Sequence, residues 1–357
     1  PTLSAFGRAF KQGALTDVGE QALVEDEALS IPSVLNATMV LRPQFQSTNT
    51  AAGTVKTIAI TADQVILFGG RLGSNSGAFI EYDGTYANYQ QFNSWDLGGF
   101  KAGFTIFNTG FGETAGMEVG STFGQHGGLL NGKDLSANNI ISKGAGGIGG
   151  VAFFGANDLV TASVSLITGS AALDGATGNG WKLAPSIRVF ANPEVAGWEI
   201  GAGVNFTSGS TGNANTAAAL GLLPGTSIKM KKWGLDLQAH GELGDTQIGV
   251  YADYASAAAP GANEFNLFNQ AGTTTSGALK GWSVRANVKP VHNIIVGAGF
   301  GNLKDNTFKQ DQWQIGVEYE LYQNFVFSLI YNNTKVTPTG GVAATTKTTL
   351  LDIEALL

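Results

Sequence analysis

Apolar and polar side chains alternate with a period of two in the last part of the chain. The alternation is plain at 282–288, 294–300, 313–321 and 325–331, and it closes the chain at 351–357. In each segment one phase is apolar, and every Arg, Asp and Glu lies in the other phase. Successive side chains of a strand face opposite sides of a sheet, so each segment predicts a β-strand with one apolar face.

Short and long connections alternate between these strands. The breaks at 289–293 and 322–324 are short, whereas those at 301–312 and 332–346 are long and polar. Bacterial outer-membrane barrels have this asymmetry, with tight periplasmic turns and longer external loops. The pattern therefore predicts an antiparallel up-and-down barrel whose C terminus lies on the periplasmic side.

The same period extends upstream with weaker alternation. Strands are predicted at 35–46, 78–88, 97–107, 149–156, 159–168, 183–189, 198–206, 233–239 and 248–254. Residues 54–70 form either one long strand or two short ones with a turn near Ala62 and Asp63. The split gives sixteen strands. Because bacterial single-chain barrels usually have an even count, sixteen strands are predicted, with fourteen as the alternative.

Aromatic residues collect at one end of the predicted strands. With the C terminus on the periplasmic side, seven of them lie at the outer rim: Phe206, Trp233, Tyr254, Trp282, Phe300, Trp313 and Tyr331. Aromatic rings favour the headgroup layer, where one side is apolar and the other is wet. A charge facing the middle of the bilayer would cost about 2–4 kcal/mol, and the apolar phase carries none. The sequence thus predicts an all-β fold, a transmembrane β-barrel.

Composition supports the barrel and excludes several classes of protein. Charged residues make up only 13% of the chain and 51 of its 357 residues are glycine, yet the hydrophobic share is only 43%. No run approaches the roughly 18 consecutive apolar residues of a membrane helix. The absence of cysteine excludes disulfides and thiolate sites, and the net charge of −7 argues against general nucleic-acid binding. No export signal is visible, so a mature form of an exported protein is expected.

Two segments fall outside the strand pattern. Residues 1–33 do not alternate and are predicted to be an N-terminal periplasmic or lumenal segment, while 34–357 form the barrel. The connection at 108–148 is the longest and is rich in glycine. Long loops in compact proteins usually have a function, and in a pore this one either folds into the lumen or lies on the outer surface. Its candidate constriction residues are Glu113, Glu118 and Asp134.

The polar phase predicts a charged lumen. The basic residues expected to point inward are Arg42, Lys56, Lys101, Arg188 and Arg285. The facing acidic residues are Glu81, Asp83, Glu199, Asp236, Asp253, Glu318, Glu320, Asp352 and Glu354. Opposed charges at the narrowest point of a pore sort solutes by charge. Arg42, Lys101, Arg188 and Arg285 are predicted to form a basic cluster near mid-strand, and the acidic excess predicts a weak preference for cations.

No pattern for enzymatic chemistry stands out. The spacing Gly-x-Gly-x-x-Gly occurs at 144–149, but it leaves a loop and enters a strand, whereas a dinucleotide site needs a strand before it and a helix after it. The histidines, His126, His240 and His292, lack metal-ligand spacing. Only His240 is placed toward the lumen, without a serine or acid partner that spacing can identify. The chain is therefore expected to be no enzyme and to need no cofactor or metal.

The architecture resembles the general porins of Gram-negative outer membranes over roughly residues 34–357. The resemblance lies in the strand number, the rim aromatics, the alternation of turns and loops, and the amphipathic last strand. Those porins typically end on Phe or Trp, whereas this chain ends on Leu357. The resemblance implies a homotrimer of water-filled channels in the outer membrane, surrounded by lipid, that pass small hydrophilic solutes and ions.

Two other functions fit the same pattern. One is a substrate-specific channel with residues 1–33 as a lumen plug. The other is a surface β-protein that forms no pore, whose strands would also alternate. The rim aromatics, the parity of the loops and the scarcity of surface charge favour a channel over the surface protein.

Overall fold

The computed structural model is a closed antiparallel β-barrel, which confirms the predicted fold class. It describes residues 23–26, 29–32, 37–60, 64–108, 135–143, 148–169, 182–211, 220–223, 225–322 and 324–357. No helix in these ranges is long and apolar enough to cross a bilayer.

The described chain contains twenty-two β-strands and two short helices. The strands are β1 Leu23–Asp26, β2 Leu29–Pro32, β3 Ala37–Leu41, β4 Gln44–Thr50, β5 Gly53–Ala59, β6 Val65–Gly73, β7 Ser76–Tyr82, β8 Ala87–Asp96, β9 Lys101–Asn108, β10 Ile148–Ala156, β11 Val160–Gly169, β12 Ala184–Ala191, β13 Glu194–Val195, β14 Trp198–Ser210, β15 Ser227–Leu243, β16 Thr246–Ala257, β17 Glu264–Asn266, β18 Leu279–Val291, β19 Ile294–Lys304, β20 Phe308–Tyr322, β21 Phe325–Pro338 and β22 Ala344–Leu356. The helices are α1 Ala137–Lys143 and a 3-10 turn at Leu267–Asn269.

Sixteen wall strands close the barrel, as predicted. β3 and β4 are two halves of the first wall strand, because β22 pairs with both. β5 and β6 are likewise the halves of the second, since they pair with β4 and β3 in turn. β13 and β17 are short additions beside β14 and β15, and β1 with β2 forms a separate two-stranded sheet.

The hairpin that brings the number of wall strands to sixteen is formed by β7 and β8, not by residues 54–70. β5 ends at Ala59 and β6 begins at Val65 within one wall strand, so the prediction of two wall strands divided near Ala62 and Asp63, which lie outside the described residues, is wrong. The predicted strand at 78–88 contains a turn instead, in which the backbone amide of Asp83 donates to the carbonyl of Tyr86. That turn separates β7 from β8, and the predicted strand at 97–107 begins only at Lys101.

Two of the expected long loops are strand. β19 and β20 run to within three residues of each other, at 305–307, and β21 and β22 are joined at 339–343. The predicted loops at 301–312 and 332–346 are therefore wrong. Beyond the hydrocarbon layer, lipid no longer requires an apolar outer phase, so the ladder of backbone hydrogen bonds continues while the alternation of side chains stops.

The two ends of the barrel are distinct. The chain closes where Leu357 and Met39 exchange backbone hydrogen bonds of 3.0 and 3.4 Å, and this end is called the C-terminal rim. The opposite end, which carries the connections after β9, β11, β14 and β16, is called the loop end. The first wall strand also begins at the C-terminal rim. An even number of antiparallel strands returns the chain to the end at which it began, so sixteen strands agree with a last strand that ends at this rim.

The seven predicted rim aromatics lie side by side on the outer face. The register places Phe206 opposite Trp233, and Phe300 opposite Trp313. Ring centroids of Trp233 and Tyr254 are 5.0 Å apart, those of Trp282 and Phe300 5.6 Å, and those of Trp313 and Tyr331 5.2 Å. These contacts join neighbouring strands into one aromatic girdle toward the loop end.

Polarity is inverted relative to a water-soluble protein. Apolar side chains of the outer phase are exposed, such as Leu235, Val284 and Leu329, while charged side chains of the inner phase are buried, such as Arg188 and Asp352. Such a wall fits a barrel whose outer face contacts lipid and whose interior is polar, which is the arrangement of a barrel that spans a bilayer.

Candidate pore lining

The structure places most of the predicted inward residues on the inner wall. They share the inner phase of their strands with buried polar neighbours. They are Arg42, Lys101, Arg188, Arg285, Glu81, Glu199, Asp236, Asp253, Glu318, Glu320, Asp352 and Glu354.

Lys56 and Asp83 are exceptions. Lys56 lies opposite Ser47 in the ladder that also places Ile58 opposite Phe45, so it shares the outer face and is exposed. The predicted inward direction of Lys56 is wrong, because Lys56 lies on the same face of β5 as Ile58, and Ile58 faces outward. Asp83 lies in the turn between β7 and β8 and is exposed there. Its carboxylate accepts hydrogen bonds from the backbone amides of Tyr86 and Thr85, which lower the pKa of Asp83.

The four basic residues of the predicted cluster do not lie on neighbouring strands. They belong to four strands that do not pair with one another. Arg42 directly follows β3, and the others are Lys101 in β9, Arg188 in β12 and Arg285 in β18. Lys101 opens β9 beside the turn at the C-terminal rim rather than at mid-strand. Arg42 and Arg188 each bind a carboxylate, and Arg285 lies over the Tyr251 ring.

Arg42 is paired across the seam that closes the barrel. Its guanidinium binds both carboxylate oxygens of Asp352, with Nε 2.9 Å and Nη2 2.8 Å from Oδ2. The Nε atom also lies 3.9 Å from Oε2 of Glu354. Arg42 is the residue that follows β3, where Pro43 interrupts the first wall strand, so the pair joins the first and last wall strands through side chains.

Arg188 is paired two strands away from its own. Its Nη2 donates to Oδ1 of Asp236 at 2.9 Å, and the guanidinium carbon lies 5.3 Å from the centroid of the Phe190 ring. A methyl group at Gly203, on the strand between them, would lie 2.5 Å from Nη2. The absence of a side chain at Gly203 therefore provides the space in which the guanidinium lies along the wall.

The helix α1 lies inside the barrel. The hydroxyl of Ser136 and the backbone amide of Asn138 donate to Asp253, the latter at 2.9 Å, and the Ser283 hydroxyl donates to the same carboxylate. For residues 135–143 of the long connection, the structure favours the lumen over the outer surface. Leu135 packs on Gly299 of β19, where a Cβ atom would lie 2.3 Å from its side chain.

Lys232 is an inner-wall residue that the sequence reading missed. Its ammonium lies 4.9 Å from the centroid of the Phe268 ring and 3.4 Å from Oδ1 of Asn138, and it also contacts the Ser142 hydroxyl. The alternation does indicate an inward direction, since Lys232 shares the phase of Asp236. However, Lys229 and Lys231 lie in the outer phase, so the charges in this part of β15 do not all follow one phase.

An apolar core fills one sector of the barrel at the loop end. Ile141 of α1 and the 3-10 residues Leu267 and Phe268 pack there against inner-wall side chains of β9 to β19. The wall contributes Phe107, Ile148, Ala152, Ile167, Ala184, Ile228, Met230, Ala255, Ala257 and Leu303. Among the described residues, this sector is packed like a protein interior.

The opposite sector carries carboxylates in register. Glu318 lies opposite Ser328, which lies opposite Asp352. One step nearer the C-terminal rim, Glu320 lies opposite Val326, which lies opposite Glu354. This part of the inner wall therefore carries four carboxylates, of which Asp352 binds Arg42 and Glu354 lies 3.9 Å from the same arginine.

A cavity of about 900 Å³ opens at the C-terminal rim. It is lined by Glu199, His240, Tyr251 and Asn287 among others. The ring centroids of His240 and Tyr251 are 5.2 Å apart, and the guanidinium carbon of Arg285 lies 4.5 Å from the centroid of the Tyr251 ring. This aromatic and charged corner forms a vestibule between the rim and mid-height of the wall.

Several predicted features lie outside the described residues. They are the constriction candidates Glu113, Glu118 and Asp134, the histidine His126 and the first four positions of the glycine motif, 144–147. Within the described ranges, no group of three or more His, Asp and Glu side chains could hold a metal ion.

No family model matches the sequence, and no curated protein matches it. Solved structures do match. The outer-membrane channel DcaP of Acinetobacter baumannii is 11% identical with a TM-score of 0.59, and the match covers 94% of this chain and 100% of that one. In vitro folded OmpT, an outer-membrane protein of Vibrio cholerae, is 13% identical with a TM-score of 0.57, covering 94% and 99%. An anion-selective porin from Comamonas acidovorans is 10% identical with a TM-score of 0.53, covering 91% and 99%. The chain has the fold of these outer-membrane barrels, as the resemblance to porins predicted.

Proposed function

We propose that the protein is a porin, an outer-membrane channel for passive diffusion of small hydrophilic solutes and ions. The observation that carries this proposal is the inverted wall, apolar outside and charged inside, around sixteen strands. Barrels of about 16 strands are wide enough to enclose an aqueous channel, whereas side chains alone fill barrels of about eight strands.

The location and assembly belong to the same proposal. The similar structures are outer-membrane proteins, which supports the outer membrane of a Gram-negative bacterium and a surrounding lipid bilayer. A further structure of Vibrio cholerae OmpT, with 13% identity and a TM-score of 0.53, is described as a trimer form. It supports a homotrimer for this chain.

The permeation path is proposed to follow the sector opposite the apolar core. There the inner wall presents Glu318, Glu320, Asp352 and Glu354, and Arg42 lies beside the last two. Fixed charges of one sign enrich counter-ions in a narrow pore and exclude co-ions. The channel is therefore proposed to prefer cations weakly.

Reversal potentials across planar bilayers with a KCl gradient test the proposed selectivity. Wild type should show a small cation preference, and Glu320→Gln with Glu354→Gln should reduce it toward zero. Asp83→Asn is the matched control, since it removes a carboxylate from an exposed turn outside the inner wall. Clear anion selectivity of wild type, or an equal effect of the control, would contradict the proposed path.

A substrate-specific channel is the second candidate. It is favoured by the burial of charged inner-wall side chains at mid-height, where Arg285 and Asp352 are each only 4% exposed. Such burial leaves little room for large solutes. Deleting residues 1–33 should raise the conductance sharply if that segment is a plug, and no change would count against this alternative.

A further inference from the structure

Three lysines form a row on the outer face at the loop end. Lys280 of β18 lies directly opposite Lys304 of β19, and Lys304 lies directly opposite Lys309 of β20. All three side chains are exposed. These residues are called the lysine row.

The row concentrates positive charge. Like charges directly opposite each other on paired strands are destabilising. Lys309 forms an ion pair with Asp311, with Nζ 2.8 Å from Oδ2. Among the described acidic residues, none forms an ion pair with Lys280 or Lys304. The row therefore retains a net positive charge in a protein whose overall charge is −7.

The row lies just beyond the aromatic girdle. Lys280 precedes Trp282 by two positions in the chain and so lies nearer the loop end, while Lys304 and Lys309 lie four positions beyond Phe300 and Trp313 in the same direction. At about 3.3 Å per residue, the lysines are roughly 7 to 14 Å beyond the girdle along the strands. Since the girdle marks the edge of the hydrocarbon layer, the ammonium groups lie at the depth of the lipid headgroups.

We propose that the lysine row binds phosphate groups of lipid headgroups in the leaflet at the loop end. The row faces outward, away from the lumen, so lipid rather than a passing solute is adjacent to it. Neighbouring strands are about 4.8 Å apart, so the three ammonium groups are spaced to hold a headgroup that carries more than one phosphate. The inference requires a barrel that spans a bilayer but does not require conduction.

The test compares two double variants that each remove two positive charges from the outer face at the loop end. Lys280→Gln with Lys304→Gln alters the two lysines of the row that form no ion pair with a described acidic residue. Lys229→Gln with Lys231→Gln is the control, because these lysines lie 3.3 and 3.2 Å from the carboxylate of Glu264. Native mass spectrometry of the detergent-solubilised protein, titrated with bis-phosphorylated lipid A or with phosphatidylcholine, measures the bound lipid.

Wild type should retain lipid A in preference to phosphatidylcholine. The row variant should bind lipid A roughly thirtyfold more weakly, since two basic residues are removed and each one near a membrane surface contributes on the order of 1 kcal/mol. The control should stay close to wild type. Lys280→Arg with Lys304→Arg should bind as wild type, which separates charge from folding. Planar-bilayer conductance should be unchanged in every variant.

Three outcomes would overturn the proposal. The first is unchanged lipid A binding by the row variant, and the second is an equal loss in the control. The third arises from titration with inorganic phosphate alone. Displacement of lipid A by phosphate at similar concentration would identify a site for free phosphate instead of lipid.

Discussion

Ser136 and Asp253 are hydrogen-bonded inside the barrel although 117 positions separate them in the chain. Ser136 precedes α1, and Asp253 belongs to β16 of the wall. The carboxylate also accepts from the amide of Asn138 and the hydroxyl of Ser283, so one wall residue fixes the beginning of the helix in the lumen.

Replacing Asp253 should release α1. Asp253→Ala leaves buried donors without an acceptor, which costs about 1–3 kcal/mol for each group. Amide hydrogen exchange of residues 137–143 should accelerate by at least tenfold, while exchange in β20 and β21 should not change. Asp253→Asn retains one acceptor oxygen and should have a smaller effect. Exchange at the wild-type rate in Asp253→Ala would show that the carboxylate does not hold the helix.

The pair of Arg42 and Asp352 should stabilise the closure of the barrel. Arg42→Met leaves the Asp352 carboxylate buried without its cation, and breaking such a pair costs about 3–5 kcal/mol. Urea unfolding in lipid vesicles, followed by tryptophan fluorescence, measures the loss. The double variant Arg42→Met with Asp352→Leu should regain a large part of it. A single variant as stable as wild type would show that the pair contributes nothing to closure.

Gly203 should be intolerant of a side chain. In Gly203→Ala the new methyl group would lie 2.5 and 2.6 Å from the two terminal nitrogens of Arg188, so the pair with Asp236 must shift. Thermal unfolding should show a loss of about 1–3 kcal/mol, typical of overpacking. Gly73→Ala is the control, since a Cβ there meets nothing within 4 Å. Equal stability of the two variants would argue against the packing described for Arg188.

A charge on the outer wall should be costly only where lipid covers it. Val284 is 44% exposed and lies on the outer face of β18, whereas Val342 is 92% exposed in the turn between β21 and β22. Val284→Lys should destabilise the folded barrel in vesicles by about 1–3 kcal/mol, since Val284 lies between the girdle and the midplane, and Val342→Lys should leave it within about 0.5 kcal/mol. If both substitutions were equally tolerated, the outer face around Val284 would not be in contact with hydrocarbon.

The sequence predicted those features that the bilayer imposes locally. Alternation and the aromatic rim could be identified because lipid selects the outer side chain at every second position, as at Trp282 and Val284. Strand extensions beyond the girdle resemble loops in sequence, because there the pairing of backbone groups continues without that selection. Lys56 faces outward because it shares one face of β5 with Ile58, contrary to the prediction.

Non-local contacts could not be found from the pattern. The position of α1 depends on Asp253 and on the space left by Gly299, both more than 100 residues away in the chain. The partners of the arginines depend on register across strands, as between Arg188 and Asp236. The phase predicted that these side chains face inward, but it could not indicate which of them neutralise each other.

Single-channel recording tests the central claim most directly. Purified protein added to a planar lipid bilayer in KCl should produce discrete, stable conductance steps, and closure in groups of three would support the proposed trimer. The folded state should be verified by circular dichroism of the same sample. Folded protein that inserts into the bilayer without any step above the baseline would contradict the channel function.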